Sequence, residues 1–177
     1  SGTMEGLAGV SFIDNNTGTA VGGSGRILHT TNGGVNWTSQ SSSTMNALYG
    51  VALTDVNTGT IAGANGTILR TTDGGATWKS QVHGTTSLLG VSFTDVNTGT
   101  IVGFNGTILR TTNGGATWTS QESGTTQNLN AVSFTDANTG TVVGESGIIL
   151  HTTNGGVKWM SQISGTTYIL RGVSFTD

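Results

Sequence analysis

The chain has 177 residues, 30 of them Gly, with no Pro and no Cys, and Thr outnumbers even Gly. A net charge of −3 with only 8% charged residues leaves no basic footprint for nucleic acid, and no run approaches the roughly 20 apolar residues of a membrane-spanning helix. Missing Pro and the lack of a three-residue period exclude collagen, low charge with 33% hydrophobic residues excludes charge-driven disorder, and missing Cys excludes a disulfide framework.

The first residues, SGTMEGLAGVSFID (1–14), carry no signal-peptide pattern and read as a mature or trimmed segment. From Gly9 onward the chain repeats itself. Units start at Gly9, Gly50, Gly90 and Ala131, and their Trp residues (37, 78, 118, 159) fall 41, 40 and 41 positions apart. Repetition at this period is the dominant signal in the sequence. The units span 9–49, 50–89, 90–130 and 131–171. A fifth start, GVSFTD, occupies 172–177, so the end of the chain duplicates its beginning.

Each unit predicts four short strands. In the third, Leu89–Phe93 alternates apolar with small or polar residues, as a half-buried strand does. Thr94–Gly99 is a turn rich in Asp, Asn and Gly. The second strand is Thr100–Gly103. Asn105-Gly106 then forms a two-residue hairpin, because both residues tolerate positive φ. Thr107–Thr112 is the third strand, Asn113-Gly114-Gly115 the next turn, and Ala116–Gln121 the fourth strand. No segment holds a helical period. Four strands in about 40 residues match a β-propeller blade, so the expected fold is all-β: one propeller domain over 1–177, with four blades of four antiparallel strands. Val10, Phe12, Val51, Leu53, Val91, Phe93, Val132 and Phe134 should build the blade faces. Ile68-Leu69, Ile108-Leu109 and Ile149-Leu150 should fill the space between blades, together with the Trp ring.

The turn before each Trp reads TTNGGVNW (30–37), TTDGGATW (71–78), TTNGGATW (111–118) and TTNGGVKW (152–159). It resembles the Asp-box, or bacterial neuraminidase repeat, of the form Ser/Thr-x-Asp-x-Gly-x-Thr-Trp. A short Asp or Asn side chain accepts backbone N–H bonds inside such a turn, which assigns structural roles to Asn32, Asp73, Asn113 and Asn154 and to Trp37, Trp78, Trp118 and Trp159. Asn36 and Lys158 replace the Thr, so those two turns should be looser. The whole unit, GVSFTDVNTGTIVGFNGTILRTTNGGATW in its third copy, is similar to repeats of the photosystem II assembly and stability factor family. That resemblance implies a β-propeller. Family members in photosynthetic cells have seven blades and bind an assembling photosystem subunit, and related repeats occur in secreted bacterial proteins. It therefore implies an extracellular or periplasmic location and no cofactor.

A cationic or titratable residue recurs at His29, Arg70, Arg110 and His151. In the family, an arginine at this position contributes to a basic partner-binding patch. The same side chains could instead bond a neighbouring strand or turn. Asp14, Asp55, Asp95 and Asp136 form a second ring. A calcium site needs six to eight converging oxygens, whereas one Asp per blade serves to cap its own turn, and no metal site is expected. Sialidases also carry Asp-boxes, but they need an arginine cluster, an acid and a Tyr–Glu pair. Here Glu5, Glu122 and Glu145, Tyr49 and Tyr168, and Arg26 and Arg171 do not converge in sequence, and His83 reads as solvated surface. The expected function is a non-enzymatic protein-interaction or scaffolding propeller that binds a protein or peptide through a ring face or the central opening. A structural alternative is self-assembly: the redundant ends (1–14 and 164–177) compete for one slot, and strand exchange would give a homo-oligomer, either a larger ring or a filament. A glycan-binding or sialidase-like module is a third reading.

Overall fold

The computed structural model describes residues 5–175. Ser1–Met4 of the leading duplicate and Thr176–Asp177 of the trailing one lie outside the described residues. Among those described, sixteen strands form four separate four-stranded antiparallel sheets, each in sequence order. The first comprises β1 (Leu7–Phe12), β2 (Gly18–Gly22), β3 (Ile27–Thr30) and β4 (Thr38–Gln40), and the second β5 (Leu48–Leu53), β6 (Gly59–Gly63), β7 (Thr67–Thr71) and β8 (Lys79–Val82). The third holds β9 (Leu88–Phe93), β10 (Gly99–Gly103), β11 (Ile108–Thr111) and β12 (Thr119–Gln121), and the fourth β13 (Leu129–Phe134), β14 (Gly140–Gly144), β15 (Ile149–Thr152) and β16 (Met160–Gln162). Four propeller blades per chain is the observed architecture. Each blade begins two residues before its sequence unit, and the fourth strands begin after the Trp, not before it. The chain divides into two compact units, 1–87 and 88–177, each a pair of blades.

Turn chemistry fixes the sheets. Asp14 Oδ1 accepts the amides of Asn16 (2.6 Å) and Thr17 (2.7 Å), which reverses the chain between β1 and β2. Asp55, Asp95 and Asp136 repeat this cap in the other blades. Between the second and third strands, Asn65-Gly66 and Asn105-Gly106 both take positive φ (53° and 67°, 55° and 67°). That backbone twist suits a tight hairpin. Ser24 and Ser146 occupy the Asn position in the outer blades, also at positive φ.

The second strand of every blade is buried along its whole length. In the first unit Val21 and Ile27 of one blade pack with Leu48, Val51, Ile61, Leu69 and Trp78 of the next. In the second, Val102 and Ile108 pack with Leu129, Val132, Val142, Leu150 and Trp159. Leading strands of paired blades approach closely at small residues: a Cβ on Gly9 would lie 2.5 Å from the Tyr49 carbonyl, and one on Gly90 3.0 Å from Ala131 Cα. This is why the units open on Gly or Ala. Burial of the expected face residues is uneven. Val51 and Val132 are 8% exposed, but Val10, the same position in the first blade, is 61% exposed.

Beyond β16, residues 170–175 repeat the β1 residues apart from Arg171, which replaces Ala8. They form no ladder among the described residues. They are nevertheless seated on the fourth blade. The Leu170 amide donates to the Gly144 carbonyl (2.9 Å), Asn130 Nδ2 donates to the Leu170 carbonyl (2.9 Å), and the Phe175 amide donates to Ser133 Oγ (3.3 Å).

Candidate functional site

The recurrent cationic position lies in the middle of each third strand, opposite a Thr of the second. Thr19 Oγ1 and His29 Nδ1 are 3.1 Å apart, and Thr141 Oγ1 and His151 Nδ1 likewise. Arg70 Nη1 donates to Thr60 Oγ1 (2.8 Å), and Arg110 Nη1 donates to Thr100 Oγ1 (2.7 Å). Arg110 also reaches another blade. Its Nη2 donates to the Ala137 carbonyl in the turn of the following blade (2.5 Å), and its guanidinium carbon stands 4.8 Å from the centroid of Phe134. His29, Arg70 and His151 are half-buried and Arg110 is buried. Burial pulls Arg70 and Arg110 below the ordinary arginine value, and the nearby charges of Asp55 and Asp95 respectively oppose that pull. Both remain cationic across the physiological range, as arginine does in proteins. Burial also lowers His29, which disfavours the imidazolium.

The Trp turns share one bonding pattern. Thr30, Thr71, Thr111 and Thr152 each donate a hydroxyl proton to the Asn or Asp oxygen two residues on (2.8–3.0 Å), and each accepts an amide from the second Gly. The same Asn or Asp oxygen accepts the amide before the Trp. Only where that residue is Thr does a side-chain bond close the turn: Thr77 Oγ1 donates to Asp73 Oδ2 (2.6 Å), and Asn113 Nδ2 donates to Thr117 Oγ1 (2.9 Å). Asn36 and Lys158 keep the backbone bond and lack this one. Three of the four Trp residues meet a leading-strand Phe edge-on, at 6.0 Å for Phe12–Trp37, 6.1 Å for Phe93–Trp118 and 6.0 Å for Phe134–Trp159, and in the second blade Leu53 takes the Phe position.

A further residue set escapes the sequence reading. Gln40, at the end of β4, donates through Nε2 to the Gly74 carbonyl (3.0 Å) and accepts the Trp78 indole N–H (3.1 Å). Gln121 does the same for Gly155 (2.9 Å) and Trp159 (3.3 Å). Each Gln therefore latches one blade to the Trp turn of the next. The available signal was the Ser-Gln pair that recurs in every fourth strand at Gln40, Gln81, Gln121 and Gln162.

In the second unit, Arg110, Gln121 and the Trp turn of the fourth blade line a cleft of about 460 Å³, with Thr98, Asn138 and Asn154 on its walls. A guanidinium has five N–H donors, and two of those on Arg110 are committed. The cleft thus offers a buried cation and several hydroxyl and amide groups to a ligand rich in acceptors. Of the non-repeating acids, Glu122 follows β12 and Glu145 precedes β15, in different sheets. Among the described residues no group of three or more His, Cys, Asp or Glu could hold a metal ion, and no helix is long and apolar enough to cross a membrane.

Residues 81–167, just under half of the chain, match the family model described as photosynthesis system II assembly factor YCF48. No curated protein matches the sequence. Among solved structures, the chain is similar to YCF48 bound to D1 peptide, with a TM-score of 0.77 and 21% identity over 99% of this chain and 58% of that one. YCF48 from Cyanidioschyzon merolae gives a TM-score of 0.61 and 14% identity over 96% and 88%. The GH74 enzyme of Niastella koreensis gives 0.65 and 23% over 87% and 24%. The propeller fold and the resemblance to the photosystem II assembly factor repeats are borne out. The chain spans 58% of the length of the peptide-bound YCF48.

Proposed function

We propose that the chain is a non-enzymatic, peptide-binding propeller segment, and that the cleft beside Arg110 is where an acidic or acceptor-rich stretch of its partner enters. The carrying observation is Arg110 itself: a buried cation, braced by Thr100 and the Ala137 carbonyl, that lines an open cleft. Such a brace holds the fork in one orientation, so little entropy is lost when a carboxylate or carbonyl docks. Similarity to a YCF48 structure carrying a D1 peptide supports a peptide as the ligand class. Similarity to GH74 enzymes extends to the blade fold alone.

The test is fluorescence anisotropy with Asp/Glu-rich peptides and their Asn/Gln counterparts. Acidic peptides should bind more tightly, and high salt should weaken them. Arg110→Ala should cost about tenfold in affinity, in line with a charged hydrogen bond, and Arg70→Ala combined with it should cost more. Arg110→Lys keeps the charge and separates loss of binding from loss of fold. Equal affinity of Arg110→Ala and the parent chain would overturn the assignment. So would turnover on a panel of fluorogenic glycosides, for which none is expected.

A further inference from the structure

We propose that the chain associates head to tail with a second copy of itself, with residues 170–175 of one copy serving as the leading strand of the first blade of the next. The same interface already exists inside each of the two units. In the first unit the Leu53 amide donates to Ser11 Oγ (3.2 Å) while Gln40 holds Trp78 and the Gly74 carbonyl. In the second the Phe134 amide donates to Ser92 Oγ (3.2 Å) while Gln121 holds Trp159 and the Gly155 carbonyl. Each junction is built from the last strand and leading Ser of one blade and the leading strand and Trp turn of the next.

The fourth and first blades carry the two complementary halves of such a junction. The fourth blade presents Gln162, exposed at the end of β16, and Ser133, whose hydroxyl already takes the Phe175 amide just as Ser92 takes that of Phe134. So 170–175 sit where a further blade's leading strand belongs, with no strand on their outer edge among the described residues. The first blade presents the complement. Leu7, Val10 and Phe12 form an exposed apolar row on β1, and no Gln reaches Trp37 among the described residues.

Residue identity makes 170–175 a substitute for β1. Leu7, Gly9, Val10, Ser11 and Phe12 correspond to Leu170, Gly172, Val173, Ser174 and Phe175. The β1–β2 register, Val10↔Ala20 and Phe12↔Gly18, becomes Val173↔Ala20 and Phe175↔Gly18. Gly18 is already shaped for a Phe: a Cβ there would lie 2.6 Å from the Phe12 ring, and Gly140 stands in the same relation to Phe134. Phe175 is 53% exposed and gains that cradle on exchange. Ladder bonds are exchanged one for one, so the net driving force is the new Gln162–Trp37 latch and burial of Val173 and Phe175 between two blades. Unpaired strand edges invite this pairing, and a head-to-tail contact yields a closed ring or an open filament according to its rotation.

The test uses the absence of native Cys. A Val173→Cys chain is mixed with an Ala20→Cys chain under mild oxidation. Opposed Cα atoms in an antiparallel pair lie about 4.5–5.5 Å apart, within disulfide reach. A covalent heterodimer is expected, and light scattering of the unaltered chain should show mass rising in whole multiples with concentration. A Val10→Cys, Ala20→Cys double variant should cross-link within one chain, which verifies the register. Gln162→Ala, at an exposed position, should weaken association about tenfold, as expected for losing two hydrogen bonds. A monomer at every concentration with no heterodimer would overturn the proposal. So would a Val173→Cys, Ala20→Cys double variant that links only within itself, because it would mean closure inside one chain.

Discussion

Asp73 is the one acid among four equivalent Trp-turn positions, and it carries a pH dependence that its Asn counterparts lack. The hydroxyl and amide of Thr77 and the hydroxyl of Thr71 all donate to its carboxylate, and they bring it from an ordinary 3.8 down to about 2. A carboxyl whose folded value is depressed stabilises the fold above its unfolded value, and the contribution is lost as pH falls through the folded one. Asn113 shows what the neutral version looks like: its Oδ1 accepts the Thr117 amide at 3.0 Å, and its Nδ2 donates to the Thr117 hydroxyl, which turns round to accept. Asp73→Asn can make the same set. It should leave urea stability at neutral pH nearly unchanged and make the chain more resistant between about pH 4 and pH 2. Equal acid sensitivity of variant and parent in urea melts at pH 7 and pH 3 would refute this. These turns were legible in the sequence, because the Thr, the Asn or Asp and the Gly pair that bond one another lie within five residues. The cations in the third strands were only half legible. Their recurrence was plain, but the Thr partner lies ten residues away across a hairpin, and the Ala137 carbonyl that fixes Arg110 belongs to another blade.

At the scale of the strand, the Gln latch and the glycine under the leading-strand aromatic decide how blades pair and pack. Gln121→Ala would strand the indole N–H of Trp159 and the Gly155 carbonyl together. Leaving buried groups unpaired costs about 1–3 kcal/mol, so a loss of about 2 kcal/mol is expected in thermal or urea unfolding. Gln162→Ala, on the exposed counterpart, should cost the folded monomer nothing measurable. The glycines give a second contrast. A Cβ on Gly140 would sit 2.6 Å from the Phe134 ring, which already meets Trp159 edge-on and carries the Arg110 guanidinium over its face. On Gly59 it would meet the tip of Leu53, a flexible methyl, at 2.7 Å. Overpacking costs about 1–3 kcal/mol, so Gly140→Ala should lie at the upper end of that range and Gly59→Ala at the lower. Equal melting losses would show that the aromatic cradle is not rigid. Strands and hairpins were readable because alternation and positive-φ turn residues are local properties. The latch was not, since Gln and its targets lie 34 and 38 residues apart and nothing local to a Ser-Gln pair marks it as a junction. The contrast between exposed Val10 and buried Val51 was likewise hidden. Both residues sit in a Leu-x-Gly-Val frame, and what buries Val51 is its packing against Val21 and Ile27 of another blade, which no local pattern reports.

Over the whole molecule the acids act as a set. The backbone amides of their own turns lower Asp14, Asp55, Asp95 and Asp136, and hydroxyl and amide bonds lower Asp73. All five bind fewer protons folded than unfolded, so stability should rise with pH from about 2 until the ordinary carboxylate range is passed, then level off. The main cause is hydrogen bonding inside tight turns; Arg70 adds a smaller contribution at Asp55, and Arg110 and Asp95 attract each other in the same way. Salt screens separated charges but does not replace an N–H at 2.7 Å. The acid limb should therefore keep its position in dilute buffer and in molar salt, and a large shift between the two would mean that ion pairs dominate instead. The set is also unevenly divided. Residues 1–87 hold Asp14, Asp55 and Asp73, whereas 88–177 hold Asp95 and Asp136 and carry Asn113 and Asn154 in their Trp turns. Acid should loosen the first unit before the second. Brief pepsin digestion across the acid limb should then cut first within 5–87, and Asp73→Asn should bring the two units close to parity. First cuts in the second unit of the parent chain would contradict this ordering, and an unchanged pattern in Asp73→Asn would place the difference elsewhere than in its one acidic Trp turn.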